Sequence, residues 1–256
     1  MPKQVSNKIG GVIAVWFSCG AATADAAQRT IQLYSDIAEV RIINNPVAEE
    51  DIDNRRFLLD VQKWLGQEIE IATNSKYPDC SAVTVWEKEK FMSSVYGAPC
   101  TLELKKKARE QYEKNHHIDW HVLGFTAEEH KRASNFIKGE RSNLLPVLVD
   151  LGITKKECFK IIADAGIAIP RIYSMGYPNA NCIGCVKATS PTYWNHVRQQ
   201  HPEVFEHRAI QSRQIGARLV RVNRERIFLD ELDPNAKGRK MKNIDFECGI
   251  FCEEKF

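Results

Sequence analysis

The sequence predicts a doubly wound α/β fold: a mostly parallel sheet with helices on both faces, followed by a mobile C-terminal tail. Three observations carry this expectation. Val12-Ile13-Ala14-Val15-Trp16-Phe17 is an unbroken apolar run of strand length, the pattern of a strand covered on both faces. A small-residue turn and a helix-period stretch over 24–35 separate it from a second strand at 39–43. A strand, a crossover helix and a strand imply a parallel pair. Strand-like and helix-like segments then alternate as far as residue 165, which extends the same sheet.

The elements follow in order. After the second strand, residues 51–54 are expected to cap a helix carrying Phe57, Leu58, Val61, Trp64 and Leu65 at helical spacing, and Gly66 ends it. Residues 68–72 read as a third strand, 84–91 as a helix broken by 96–101, and 102–114 as a basic helix. A fourth strand at 120–124 leads to a helix capped by Thr126, and 143–151 is mixed. Thr154 and Glu157 form a capping box for the helix at 154–165, which Gly166 stops. Helices at 191–200 and 203–215 complete a domain over 1–216. Residues 217–256 are expected to be a basic tail carrying Cys248 and Cys252.

Hydrophobic residues make up 43% of the 256 and charged residues 27%, enough to bury a sizeable core and unlike a disordered chain. No apolar run reaches the roughly 18 residues of a spanning helix, so no membrane partner is expected. The net charge of +3 suits a polyanionic small molecule without requiring nucleic acid. Lys8, the apolar stretch to Phe17 and Ala24-Asp25-Ala26 imitate a signal peptide. Gly10-Gly11 interrupts the start of that stretch, which reads better as a buried strand, so a cytoplasmic chain is expected. In that compartment eight cysteines with a Cys-x-x-Cys spacing point to metal or redox chemistry rather than to disulfides.

Four segments carry candidate chemistry. Ser18-Cys19-Gly20-Ala21-Ala22-Thr23 joins a buried strand to a helix, where backbone N–H groups favour an anion such as phosphate; an ordinary tight turn has the same look. Cys182-Ile183-Gly184-Cys185 can contribute ligands to zinc or an iron–sulfur cluster, which need further ligands, or act as a redox pair, which needs none. Gly184 favours a tight turn around a shared ligand over two merely packed thiols. Cys248 and Cys252 lie among Lys240, Lys242 and Lys255, which favour a thiolate; an incidental tail cysteine or further metal ligands are the other readings. Gly124 and Arg132 lie at and just beyond a strand end, where open parallel sheets bind ligands, although charged helix faces are commonly just solvated. His116-His117 reads as surface.

These pieces, in this order, resemble the phosphoadenylyl-sulfate (PAPS) and adenylyl-sulfate (APS) reductase family of the adenine nucleotide alpha-hydrolase-like, or PP-loop, superfamily. Phe17 to Thr23 stands where the family has its Ser-Gly-Gly-Lys-Asp-Ser type loop. Gly176-Tyr177 with Cys182-Ile183-Gly184-Cys185 resembles the Gly-Tyr…Gly-Cys-x-x-Cys segment of cluster-bearing APS reductases. Glu247-Cys248-Gly249-Ile250 resembles the tail that bears the family's nucleophilic cysteine, and the match runs from Val12 to Cys252. The resemblance implies nucleotide phosphates on Ser18 to Thr23 and attack by Cys248 on the sulfonucleotide sulfur. It implies sulfite release by a second thiol, and a 4Fe-4S cluster on Cys100, Cys182 and Cys185.

The departures shape the expectation. Ala21 and Ala22 stand where Lys and Asp are common, and Cys100 stands alone where the family has two adjacent cysteines. A fourth ligand would be Cys158, Cys252 or a non-protein group. Cys252, one residue after Phe251 in place of the family's histidine, can serve as a resolving thiol for Cys248. The expected function is therefore an oxidoreductase acting on APS or PAPS, with thioredoxin or glutaredoxin as thiol reductant, in a homo-oligomer. The alternative is an ATP-dependent PP-loop sulfurtransferase or nucleic-acid-modifying enzyme that carries sulfur on a three-cysteine cluster. A zinc-stabilised nucleotide-binding protein is a third reading.

Overall fold

The computed structural model describes residues 9–94 and 97–241. In chain order the strands of the sheet are β1 (Val12–Phe17), β2 (Glu39–Asn44), β3 (Ile69–Ile71), β4 (Trp120–Val122) and β5 (Leu144–Leu145). The helices are α1 (Ala21–Tyr34), α2 (Asp53–Leu65), α3 (Ala82–Glu89), α4 (Pro99–Thr101), α5 (Ala108–Asn115), α6 (His130–Gly139), α7 (Val147–Asp150), α8 (Lys155–Asp164), α9 (Pro191–Gln200) and α10 (Pro202–Ile215). The chain folds into two compact units. The first holds residues up to Pro46, Ile52–Ala72 and Glu110–Arg171; the second holds Val47–Asp51, Thr73–Arg109 and the chain from Ile172 on.

Among its described residues the first unit carries a five-stranded sheet in the order β3-β2-β1-β4-β5, parallel throughout. β1 lies at the centre because its run is apolar on both sides. Ile13, Val15 and Phe17 join one apolar cluster with Ala24 and Ala27 of α1, Phe57 and Val61 of α2 and Ile162 of α8. The alanines of α1 let the helix approach the sheet closely, and the Phe17 and Phe57 rings lie 6.2 Å apart. On the other face Trp16 meets the Tyr112 ring of α5 edge-on at 6.0 Å and donates its indole N–H to His121 Nδ1 at 3.1 Å. Leu144 packs there with Phe125 and Ala133. Helices therefore cover both faces, and the expected doubly wound sheet is present.

The expected caps are partly realised. Thr154 and Glu157 form the capping box, and Gly66 takes the left-handed conformation (φ 64°) that ends α2. The start of α2 differs: Ile52 precedes the helix without a side-chain cap. Instead Asp53, the first helical residue, accepts from Arg56 Nε at 2.7 Å, from Arg56 Nη2 at 2.8 Å and from the Arg171 N–H at 2.9 Å. The Arg56 guanidinium first, then the Arg171 backbone, hold the Asp53 carboxyl at about 2. A folded value below the unfolded one gives stability that is complete above about pH 4 and fades as the pH falls through about 2. Arg56 is 37% exposed. Solvent screening therefore leaves this contribution at about 1 kcal/mol. Asp53→Asn is expected to lower the melting temperature at pH 7 and to lessen its fall between about pH 4 and 2, as measured by thermal melts across pH.

The second unit is built around Tyr77, Trp86, Met92, Tyr193, Trp194 and Val197. Its described chain past residue 216 differs from the expected mobile tail. Val220–Val222 and Glu225–Ile227 form an antiparallel hairpin, β6 and β7, in which Val220 faces Ile227. Leu219, Val220, Leu229 and Leu232 are buried in the same core. The segment beyond is fixed to α9: Asn195 donates to the Asp233 and Ala236 carbonyls at 3.0 Å, and the Ser190 hydroxyl donates to the Arg239 carbonyl at 3.0 Å. Apolar burial and these hydrogen bonds join 217–241 to the unit that holds α9, so no division falls at 216.

Candidate functional site

The strand order reverses between β1 and β4, because the chain leaves β1 toward β2 on the opposite side. Open parallel sheets bind ligands in the crevice beyond the carboxyl ends of strands at such a switch point. The 18–23 turn leaves β1 there. The strained position in this turn is Cys19, with φ 55°, whereas Gly20 at φ −105° lies where any residue is comfortable. Asn44, at the end of β2, steadies Cys19: its amide donates to the Phe17 carbonyl at 2.8 Å and lies 3.6 Å from Cys19 Sγ. The Thr23 hydroxyl donates to the Gly20 carbonyl at 2.9 Å and accepts the Ser18 N–H at 3.3 Å. The turn is thus fixed by its own residues and by a neighbouring strand.

Helix α1 begins at Ala21 with no side-chain cap and no acidic residue in its first turn. Its first N–H groups have no intrahelical acceptor, and with the helix dipole they present partial positive charge to an anion. Ala21 and Ala22 bring the backbone within reach of such a ligand but add no charge. Gly124, after β4, closes against this turn: a Cβ there would lie 2.7 Å from Thr23 Cγ2 and 3.0 Å from the Thr23 nitrogen. Ser18 to Thr23 and Gly124, separated by about a hundred residues, thus meet at the switch point. Arg132 is placed otherwise. It pairs with Glu129 at 2.8 Å and lies over the Phe125 ring at 4.9 Å.

The Cys182–Cys185 turn lies in the second unit, as does Cys100 in α4. Cys185 is buried, while Cys182 and Cys100 are partly buried against the same core. Three contacts fix the turn. The buried Tyr193 hydroxyl accepts the Cys185 N–H at 2.9 Å and donates to the Cys182 carbonyl at 3.5 Å. The Ile183 N–H donates to the Glu49 carbonyl at 2.9 Å. Gly184 has φ 70°, and a Cβ there would stand 3.0 Å from Val204 Cγ1, so glycine is required by conformation and by space. Gly176-Tyr177 builds the wall behind: the Tyr177 ring meets the Tyr193 ring edge-on at 6.1 Å.

Glu49 and Arg208 supply the electrostatics of this region. The Glu49 carboxylate accepts from the Ser81 hydroxyl at 2.7 Å and from the Ala82 and Val83 N–H groups at 2.8 and 3.1 Å, so it caps α3. Arg208 is 3% exposed and stacks over Trp86 at 4.2 Å. Burial lowers the pKa of its guanidinium below the ordinary value, an effect that Glu49, Cys182 and Cys100 partly oppose. Arg208 Nε is buried and has no hydrogen-bond partner. A cleft of about 510 Å³ opens here, lined among others by Glu49, Val83, Ile183, Val204 and Arg208.

Among the described residues no three His, Cys, Asp or Glu side chains are grouped so as to hold a metal ion. The donor chemistry still suits a thiolate-bound group. Three thiols lie in one unit, and the orphaned Nε of a buried cation beside their turn calls for an anion. Cys158, one candidate for a fourth ligand, lies in the core of the other unit. Burial and the Asp25 carboxylate push its thiol well above the ordinary range, the condition of an inert side chain. Cys248 and Cys252 lie outside the described residues. Sequence reading missed Asn44, Glu49, Tyr193 and Arg208, which as isolated residues carry no motif. The left-handed Cys19 and the π-helical segment Leu102–Lys107 just past Cys100 likewise have no sequence signature.

No protein-family model matches the chain, and no curated protein matches it. Among solved structures it is similar to U34-tRNA thiolase NcsA from Methanococcus maripaludis with its [4Fe-4S] cluster, at 13% identity and a TM-score of 0.42, over 83% of this chain and 73% of that one.

Proposed function

We propose that the chain is an adenine-nucleotide-dependent enzyme of PP-loop type that transfers sulfur to an activated acceptor. The observation that carries this reading is the closure of Gly124 on the uncapped, uncharged start of α1 at the switch point of the sheet. Such a site suits a polyphosphate held by backbone N–H groups. The Ser18 to Thr23 turn would hold the phosphates of ATP, and Gly124 would keep the wall thin enough for them to approach. The acceptor's carbonyl oxygen attacks the α-phosphorus, pyrophosphate leaves, and a nucleophilic sulfur then displaces AMP.

Cys100, Cys182 and Cys185 would be the ligands of a 4Fe-4S cluster, which supplies a binding site for sulfur when present. Tyr193 and Glu49 hold the turn that carries two of them. Three cysteine ligands rather than four favour a sulfur carrier over an electron-transfer centre. Zinc on the same thiols is the competing occupant. Reduction of APS or PAPS asks in addition for Cys248 as nucleophile, with a thioredoxin or glutaredoxin thiol behind it. The transferase reading rests on described side chains alone. The acceptor class it implies is a nucleobase carbonyl, which makes nucleic acid the partner.

One assay separates the two. Transfer chemistry releases pyrophosphate from ATP, and faster with bulk tRNA present. Sulfite release from APS or PAPS with a dithiol, abolished by Cys248→Ser and with no pyrophosphate from ATP, would replace this reading by the reductase.

A further inference from the structure

The second unit contains a buried positive charge with no counter-charge. Arg208 is 3% exposed, and its recorded side-chain hydrogen bond goes to a neutral group, the Gln211 amide oxygen, at 2.6 Å from Nη1. The nearby Glu49 carboxylate is already taken by three donors at the start of α3. Among the described residues no carboxylate lies within ion-pair distance of Arg208, and its Nε has no acceptor. A buried guanidinium left this way is costly unless an anion reaches it. The position fixes which anion. Nε lies 3.7 Å from where a Cβ on Gly184 would stand, so the unfilled donor abuts the turn between Cys182 and Cys185.

We propose that Arg208 is a positioning residue for the cysteine-bound group: it supplies the positive charge and the Nε hydrogen bond that stabilise a net-negative, thiolate-ligated cluster and set its reduction potential. The inference rests on the cluster reading above. Three thiolates on a dipositive 4Fe-4S core leave one negative charge, and reduction adds a second. A cation held beside the ligand turn favours both states over the empty protein, and the reduced state more. Trp86 holds the guanidinium flat from its other face, so position as well as charge is set.

The test uses the full chain purified anaerobically, in wild-type, Arg208→Gln and Arg208→Lys forms. Iron and sulfide content, the rate of iron loss to a chelator and the reduction midpoint are measured on each. Arg208→Gln is expected to lose iron about 10-fold faster and to shift the midpoint to more negative values. Arg208→Lys keeps the charge but not the Nε donor, so its midpoint stays near wild type while iron loss is faster. Should the glutamine variant fail to fold, the lysine variant decides, and wild-type iron loss in it contradicts the proposal. A glutamine variant with wild-type midpoint and iron retention overturns the inference alone. A wild-type protein without iron overturns the cluster reading, and this inference with it.

Discussion

Gly124→Ala is expected to weaken ATP binding about 10-fold or more and to destabilise the first unit by about 1–3 kcal/mol. The added Cβ would stand 3.0 Å from the Thr23 backbone nitrogen and 2.7 Å from its methyl group. The methyl can rotate, but the Thr23 hydroxyl would then leave the Gly20 carbonyl and the Ser18 N–H, which fix the turn. The backbone nitrogen can move only with α1. Either response disturbs the start of α1, where the phosphates are proposed to bind. Calorimetric titration with ATP and a thermal melt on the same variant read the two effects. Wild-type affinity in a variant that folds would remove the 18–23 turn from the nucleotide site.

Tyr193→Phe is expected to cost about 1–3 kcal/mol, because the buried Cys185 N–H loses its acceptor. The second consequence is functional. With the hydroxyl gone, Cys182 and Cys185 lose the bridge between their backbones, and iron retention should fall about 10-fold. Tyr177→Phe is the matched control. The Tyr177 hydroxyl is buried without a hydrogen-bond partner, so its removal should leave stability and iron content unchanged or slightly improved. Chemical denaturation and iron analysis of both variants check the contrast. Equal behaviour of the two would mean that the Tyr193 hydroxyl does not hold the turn.

What could be read from the sequence follows the physics of each element. β1 was legible because a strand buried on both faces must be apolar throughout, and Val12–Phe17 is. The helix at 154–165 was legible because its box residues, Thr154 and Glu157, satisfy orphan backbone donors by local contacts. β5 has two residues, too few for any period to show. The hairpin at 220–227 was missed although Val220, Val222 and Ile227 alternate with charged residues. Its two-residue turn, Asn223 and Arg224, has φ 48° and 73°, which the usual Asn-Gly pair would have announced.

The site divides in the same way. Cys182 and Cys185 were found through their spacing, and the phosphate turn through its place between strand and helix. Gly20 was the residue noticed there, yet Cys19 bears the positive φ, and a strained cysteine has no compositional mark. Asn44, Tyr193 and Arg208 act across 25 or more residues, or through one buried atom each, and only the folded chain shows what they touch. The expectation that Arg132 contacts nucleotide rested on its sign and its distance from a strand end. Glu129, three residues earlier, takes that charge in the structure.

Anaerobic purification followed by iron, zinc and acid-labile sulfide analysis tests whether the second unit is a sulfur site. About four irons and four sulfides per chain are expected, with a brown protein in wild type and loss of colour on substitution of Cys100, Cys182 or Cys185 by alanine. A colourless protein holding zinc, or an iron content indifferent to those three substitutions, would contradict the account.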